Sequence, residues 1–179
     1  MVARALALVL FTLALPGACL GLELGSADIA EGATLSLAQV YAADGCGGRN
    51  ESPALAWSGA PGATRSFAVT VSDPDAPGGT WWHWVMFDLP PELHALPHGA
   101  GSVRAQPAGA RQAQNDFGSP DYGGACPPAG DAPHRYVFTV HALKVDRLAL
   151  PAGVPAAKAA ALIRASELDH ASITVRYGR

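Results

Sequence analysis

The chain has 179 residues, 49% hydrophobic and 15% charged, with a formal net charge of −3 at pH 7. That length suffices for one domain with a real core. Acidic residues outnumber basic ones and Lys and Arg form no run, which argues against a nucleic-acid surface.

The chain opens as a leader. Met1–Arg4 is a short basic start, residues 5–15 form an apolar run, and Pro16, Gly17 and Ala18 follow. This is the layout of a secretory signal peptide, and the run falls short of the roughly 20 residues a membrane helix needs. Cleavage near Cys19 to Gly21 is expected, leaving a single domain over 22–179. Loss of Arg4 takes the formal charge from −3 to −4. A lipid-anchored Cys19 is the alternative, opposed by Pro16 where such sites usually carry an aliphatic residue. The Ala-, Gly- and Arg-rich composition suggests GC-rich bacterial coding, and hence export to the periplasm or beyond. No later segment is apolar enough to span a bilayer.

The rest reads as short strands between Gly- and Pro-rich turns. Strands are expected at 22–29 (LELGSADI), 34–41 (TLSLAQVY), 53–57 (PALAW) and 65–73 (RSFAVTVSD). The next, WWHWVMFDL at 81–89, is aromatic and β-favouring. Strict alternation would set Trp81, His83, Val85 and Phe87 on one face and Trp82, Trp84 and Met86 on the other. An irregular stretch runs from Pro90 to Pro133, and so long a loop in a compact domain is usually functional or misread. HRYVFTVHAL (134–143) is the strongest strand, VPAAKAAALIRAS (154–166) the one clear helix, and ASITVRY (171–177) the closing strand. The fold class is mainly β, with a sandwich or barrel-like sheet core.

Two cysteines remain after cleavage, Cys46 in DGCGGRN and Cys126 in GGACPPAG. An even pair in an exported chain suggests a disulfide. The rival is a metal site, for which a lone pair with no C-x-x-C is poor spacing.

Two stretches carry chemistry. In SDPDAPGGTWWHW, Asp73 and Asp75 flank a proline at a strand end. Asp before Pro starts turns by bonding backbone amides, and His83, among apolar neighbours, also reads as a core histidine held by a carbonyl. In YGGACPPAGDAPHRY, Gly123 and Gly124 suit an anion nest of backbone amides. Pro127 and Pro128 stiffen the next turn, His134 opens a strand, and Tyr136 shares its face.

Together, DPDAP, Trp81-x-His83, NDFG, YGGACPP and HRYVFTVHAL resemble the phosphatidylethanolamine-binding protein (PEBP) family, also called Raf-kinase-inhibitor-like, in its exported bacterial branch. The likeness covers nearly all the mature chain. It implies a large antiparallel sheet packed with a smaller one, with short peripheral helices. It also implies a small pocket for phosphate, phosphorylated groups or acetate, lined by Asp73, Asp75, Trp81, His83, Pro128, His134 and Tyr136, with backbone amides around Gly124. Two departures stand out. Cys126 replaces a small Gly of some relatives, and Ser166 stands where many carry a His, which puts a lid role of the last helix in doubt.

Ionised Asp73 and Asp75 would repel an anion, so they are expected to orient imidazoles instead. His83 and His134 would then offer N–H donors or positive charge, and Trp81 would wall the pocket. The leading function is non-catalytic binding of a small anion or phosphorylated group. The alternative is a regulator that docks on a protein, in the manner of a kinase or protease inhibitor. A hydrolase ranks below both, because no nucleophile with a fixed base is legible. No catalytic residue, metal or cofactor is expected.

Overall fold

The protein is described here by a computed structural model covering residues 21–179. The expected signal segment and Cys19 lie outside the described residues. In chain order the elements are β1 (Glu23–Gly25), β2 (Leu55–Ser58), β3 (Ser66–Asp73), β4 (Trp81–Leu89), β5 (Ala95–Leu96), β6 (Arg111–Gln112), β7 (His134–Leu143), α1 (Ala156–Ser166) and β8 (Glu167–Tyr177). They form a five-stranded sheet, β6-β4-β3-β7-β8, and a three-stranded sheet, β1-β2-β5. Every strand pair is antiparallel. Among the described residues no helix is long and apolar enough to cross a membrane.

The layers follow from alternation along the central strands. Phe67, Val69 and Val71 of β3 join Trp84 and Met86 of β4 and Tyr136, Phe138 and Val140 of β7 in one cluster. Leu55 and Trp57 of the small sheet close it. Phe67, Trp84 and Phe138 are fully buried, and each stabilises by about 1.5–3 kcal/mol relative to exposure. The other face carries Ala68, Val85, Phe87 and Leu143, covered by Ala156, Ala159 and Ile163 of α1. The helix therefore lies behind the large sheet and not over the pocket described below, and Ser166 is buried at its end.

Strict alternation in β4 fails, and the failure is structural. Val71 pairs with Trp84, yet the next residue, Ser72, pairs with Trp82. His83 is the extra residue of a β-bulge, which re-aims side chains. Val85 and Phe87 thus face α1 with Trp82, while Trp81 and His83 face the other way.

Two expected strands shrink. Of 22–29 only Glu23–Gly25 pairs. Residues 34–41 form no strand, because the Ser36 hydroxyl bonds both the Ala38 amide and the Gln39 side chain and folds a turn. The closing strand is longer than expected and starts at Glu167. The helix begins at Ala156 because Val154 and Pro155 bridge to Gln114. The stretch 90–133 is ordered by turns and two short strands, β5 and β6.

Candidate functional site

In antiparallel neighbours the end of one strand meets the start of the next. The C-terminal end of β3 therefore lies beside the N-terminal ends of β4 and β7, with Asp73 opposite Trp81 and Ser72 opposite Val137. This edge opens a cavity of about 490 Å³, lined by Asp73, Trp81, His83, Pro128, His134 and Tyr136 among others. These six expected site residues, from separate motifs, converge on one space. Asp75 and Gly124 do not line it.

Asp73 and His134 form a buried pair. His134 Nδ1 donates to Asp73 Oδ2 at 2.7 Å, which fixes the tautomer and leaves Nε2 for other partners. The same carboxylate accepts the Asp75 amide at 2.8 Å, so the Asp-Pro-Asp turn and the orientation of His134 share one group. Asp131 Oδ2 stands 3.6 Å from His134 Nε2.

Asp75 turns outward. Its carboxylate accepts from the Arg135 amide and makes a two-pronged ion pair with the Arg135 guanidinium. That guanidinium holds its pKa down at about 2. Asp75 therefore orients no imidazole, contrary to the sequence-based expectation.

His83 sits in the bulge with its Nδ1 bonded to the Gly123 carbonyl at 2.8 Å and the Gly124 carbonyl at 3.1 Å. Carbonyls only accept, so Nδ1 carries the proton. Burial pushes the ring's pKa below the ordinary histidine value, and the ring is neutral near pH 7. Its Nε2 then has a lone pair to offer. The expectation of a second N–H donor or positive charge at His83 gives way to an acceptor.

Tyr136 is buried, and its hydroxyl has no hydrogen-bond partner. The Cys126 amide favours the phenolate, but less strongly than burial and the Asp73 charge oppose it. Burial, and next the Asp73 charge, push the phenol's pKa up, so the group remains an O–H donor.

The Gly-rich loop is not an anion nest. The Gly123 amide donates to the His83 carbonyl, the Gly124 amide to Asn50 Oδ1 and the Ala125 amide to the Gln39 carbonyl. The glycines serve close approach instead. A Cβ on Gly123 would collide with the Phe117 ring, and one on Gly124 with the backbone of Gln39 to Tyr41.

Sequence reasoning missed several parts. Asn50, at φ 58°, staples the loop through Gly124 and the Tyr122 carbonyl. Asn115 accepts the Phe117 and Ser119 amides and donates to the Asp121 carbonyl. This places Phe117 against Tyr41, stacked at 4.2 Å, and against the edges of Trp81 and His83. Asp116 is tied to the Trp82 amide. The signal for Phe117 stood in NDFG. Tyr41 was hidden in an expected strand, and Arg179, which also lines the cavity, carried no local signal.

Cys46 and Cys126 are disulfide-bonded, with a Cα–Cα separation of 5.7 Å. The bond joins the loop carrying Tyr41 and Asp44 to the loop carrying Pro127 and Pro128, two walls of the cavity.

Comparison with known proteins agrees with this architecture. The sequence profile of the phosphatidylethanolamine-binding protein family matches residues 25–178. Two Escherichia coli proteins, YbcL and YbhB, are each 43% identical over 158 residues. The match covers 87% of this chain, with 86% of YbcL and 99% of YbhB. The crystal structure of YbcL, described as a new member of the mammalian PEBP family, superposes with a TM-score of 0.86 at 42% identity. It covers 89% of this chain and 99% of YbcL. CT736 of Chlamydia trachomatis, a candidate PEBP homologue, superposes with a TM-score of 0.73 at 29% identity, covering 89% and 98%. Fold, profile and relatives agree: the chain belongs to the phosphatidylethanolamine-binding protein family.

Proposed function

We propose that the cavity at the β3, β4 and β7 ends binds a small oxyanion, phosphate or the phosphoryl group of a larger molecule, without catalysing a reaction on it. The observation that carries this reading is the Tyr136 hydroxyl, buried at the cavity with no partner. An unmet buried donor costs about 1–3 kcal/mol, which an acceptor oxygen of a ligand would relieve. His134, oriented by Asp73, offers Nε2 as a second donor when protonated. His83 Nε2 accepts from a hydroxyl or a protonated phosphoryl oxygen. Trp81 and Phe117 give the wall that keeps water from these bonds.

The reading extends to the chain as a whole. Residues 22–179 act as one binding domain delivered across the inner membrane by the leader. Two observations support export: the disulfide, and 40% identity over 120 residues to Mycobacterium tuberculosis LppC, named as a candidate lipoprotein.

Calorimetric titration tests the site with inorganic phosphate and phosphoethanolamine. Both ligands are expected to bind, and His134→Ala and Tyr136→Phe each to weaken binding by about 1.5–3 kcal/mol, the range for hydrogen bonds to charged groups. Wild-type protein that binds neither ligand, or folded variants that bind as well as wild type, would exclude this reading.

A further inference from the structure

We propose that Arg179 is the fixed positive charge that selects an anion for this cavity, and that the Cys46–Cys126 disulfide positions it. This rests on the anion-binding reading above and adds what supplies the charge and what controls it.

The charges bordering the cavity raise the question. Asp44, Asp73 and Asp116 all line it. His83 is held neutral by burial. Asp73 is engaged by His134 and the Asp75 amide, and Asp116 by the Trp82 amide. An anion entering this acid-rich space needs a cation, and His134 supplies one only when protonated. Among the described lining residues Arg179 is the one Arg or Lys.

Arg179 is held by neutral groups. Its Nε donates to the Pro127 carbonyl at 2.7 Å, and its Nη1 reaches the Asp44 carbonyl at 3.5 Å. Its main-chain oxygen accepts the Gly130 amide at 3.0 Å, which fixes the base of the side chain. Among the described residues no carboxylate forms an ion pair with it, whereas Arg49, Arg65, Arg111 and Arg135 each have one. Nη2 has no hydrogen-bond partner among the described residues. A guanidinium keeps its charge at any working pH and presents a rigid fork that suits phosphoryl oxygens. Holding that fork in place beforehand removes part of the ordering cost of binding.

The two carbonyls that hold Arg179 come from loops far apart in sequence. Asp44 precedes Cys46 by two residues, and Pro127 follows Cys126 directly. The disulfide joins these loops across a sequence separation of 80. Reduction removes the covalent tie beside both acceptors and loosens their spacing, although the Tyr41 and Ala125 amides still bond the two segments. Anion affinity then depends on the redox state of the bond.

Sulfate tests this, because its charge does not change between about pH 6 and about pH 9, where histidine titrates. Wild-type affinity for sulfate should fall only in part across that range, by the share of the protonated His134 donor, and keep the share that Arg179 supplies. Arg179→Ala should weaken it at least about tenfold, with Arg179→Lys intermediate because it keeps charge without the fork. The Cys46→Ser, Cys126→Ser pair should lose a comparable factor, and adding Arg179→Ala to it should change little, as two changes acting through one group do. If the cysteine pair does not fold, mild reduction of folded wild type and of Arg179→Ala replaces it. Sulfate affinity that vanishes toward the upper end of that range leaves no share to Arg179 and overturns its role. So does Arg179→Ala binding as wild type while His134→Ala fails, although the anion site itself then stands. Losses that multiply between the cysteine pair and Arg179→Ala overturn the link to the disulfide. Wild type that binds neither sulfate nor phosphate removes the anion site and this inference with it.

Discussion

Tyr136 and His83 show how one buried polar atom separates stability from function. The Tyr136 hydroxyl is buried without a partner, so Tyr136→Phe should leave the folded protein as stable or raise its stability by about 1 kcal/mol, within the cost of an unmet buried group. Urea unfolding measures this. A loss above about 1 kcal/mol would mean that the hydroxyl is satisfied in the folded state. His83 makes the opposite kind of prediction. Burial lowers its folded pKa, as it does for His141 behind the sheet. The unfolded chain then binds more protons below about pH 6.5 than the folded one. The stability each ring contributes is complete above that pH and is lost as pH falls toward its folded value. Melting temperature should therefore drop between about pH 7 and about pH 5, and His83→Gln and His141→Gln should each flatten part of the slope. A slope unchanged in both variants would place the acid sensitivity elsewhere. The sequence shows both sides of His83, a core histidine bonded to carbonyls and a pocket residue, and the structure shows that both hold at once.

Elements decide which of these residues meet. The strands at β3, β4 and β7 are legible because each is a run of β-branched and aromatic residues long enough to outweigh its neighbours. The face assignment of β4 is not legible, since the bulge at His83 arises from pairing with β3 and leaves no local mark. The turn at 36–39 is misread for the converse reason: Ser36 offers the backbone a local partner that periodicity ignores. The Gly-rich loop is read as a nest because glycine suits one, whereas here the two glycines permit contact. That difference is testable. Gly124→Ala would press a Cβ on the Gln39–Tyr41 backbone, which cannot yield as a side chain does. A loss of about 1–3 kcal/mol or more is expected, as for overpacked cores. Gly62→Ala, with nothing within 4 Å of the added Cβ, serves as the control and should be neutral or stabilising by up to about 1 kcal/mol. Equal urea midpoints for the two variants would remove close approach as the reason for Gly124.

At the scale of the whole molecule, the cavity is an agreement between a rigid sheet and loops that lie outside its strands. Asp73, His83, His134 and Tyr136 stand on strand ends, so the sheet places them. Tyr41, Asp44, Pro127 and Arg179 stand on loops or beyond β8, and the disulfide joins the first of these loops to the second. This division explains what sequence reading recovers. Strand-end residues sit in patterned segments, while Arg179 depends on two carbonyls that meet only in three dimensions. It also predicts how the molecule responds to reduction. Closing a loop with a separation of 80 stabilises by at most roughly 4 kcal/mol on chain-entropy grounds. Reduction should lower the melting temperature, with the loosening confined to the two loops. Amides such as Tyr41 and Gly48, bonded between loop segments, should exchange faster with solvent. Amides in the β3–β7 ladder should keep their protection relative to global unfolding. Hydrogen exchange on oxidised and reduced protein, with free thiols counted in each sample, distinguishes the cases. If β3 and β7 lose protection as much as the loops do, the bond stabilises the fold as a whole rather than its binding wall.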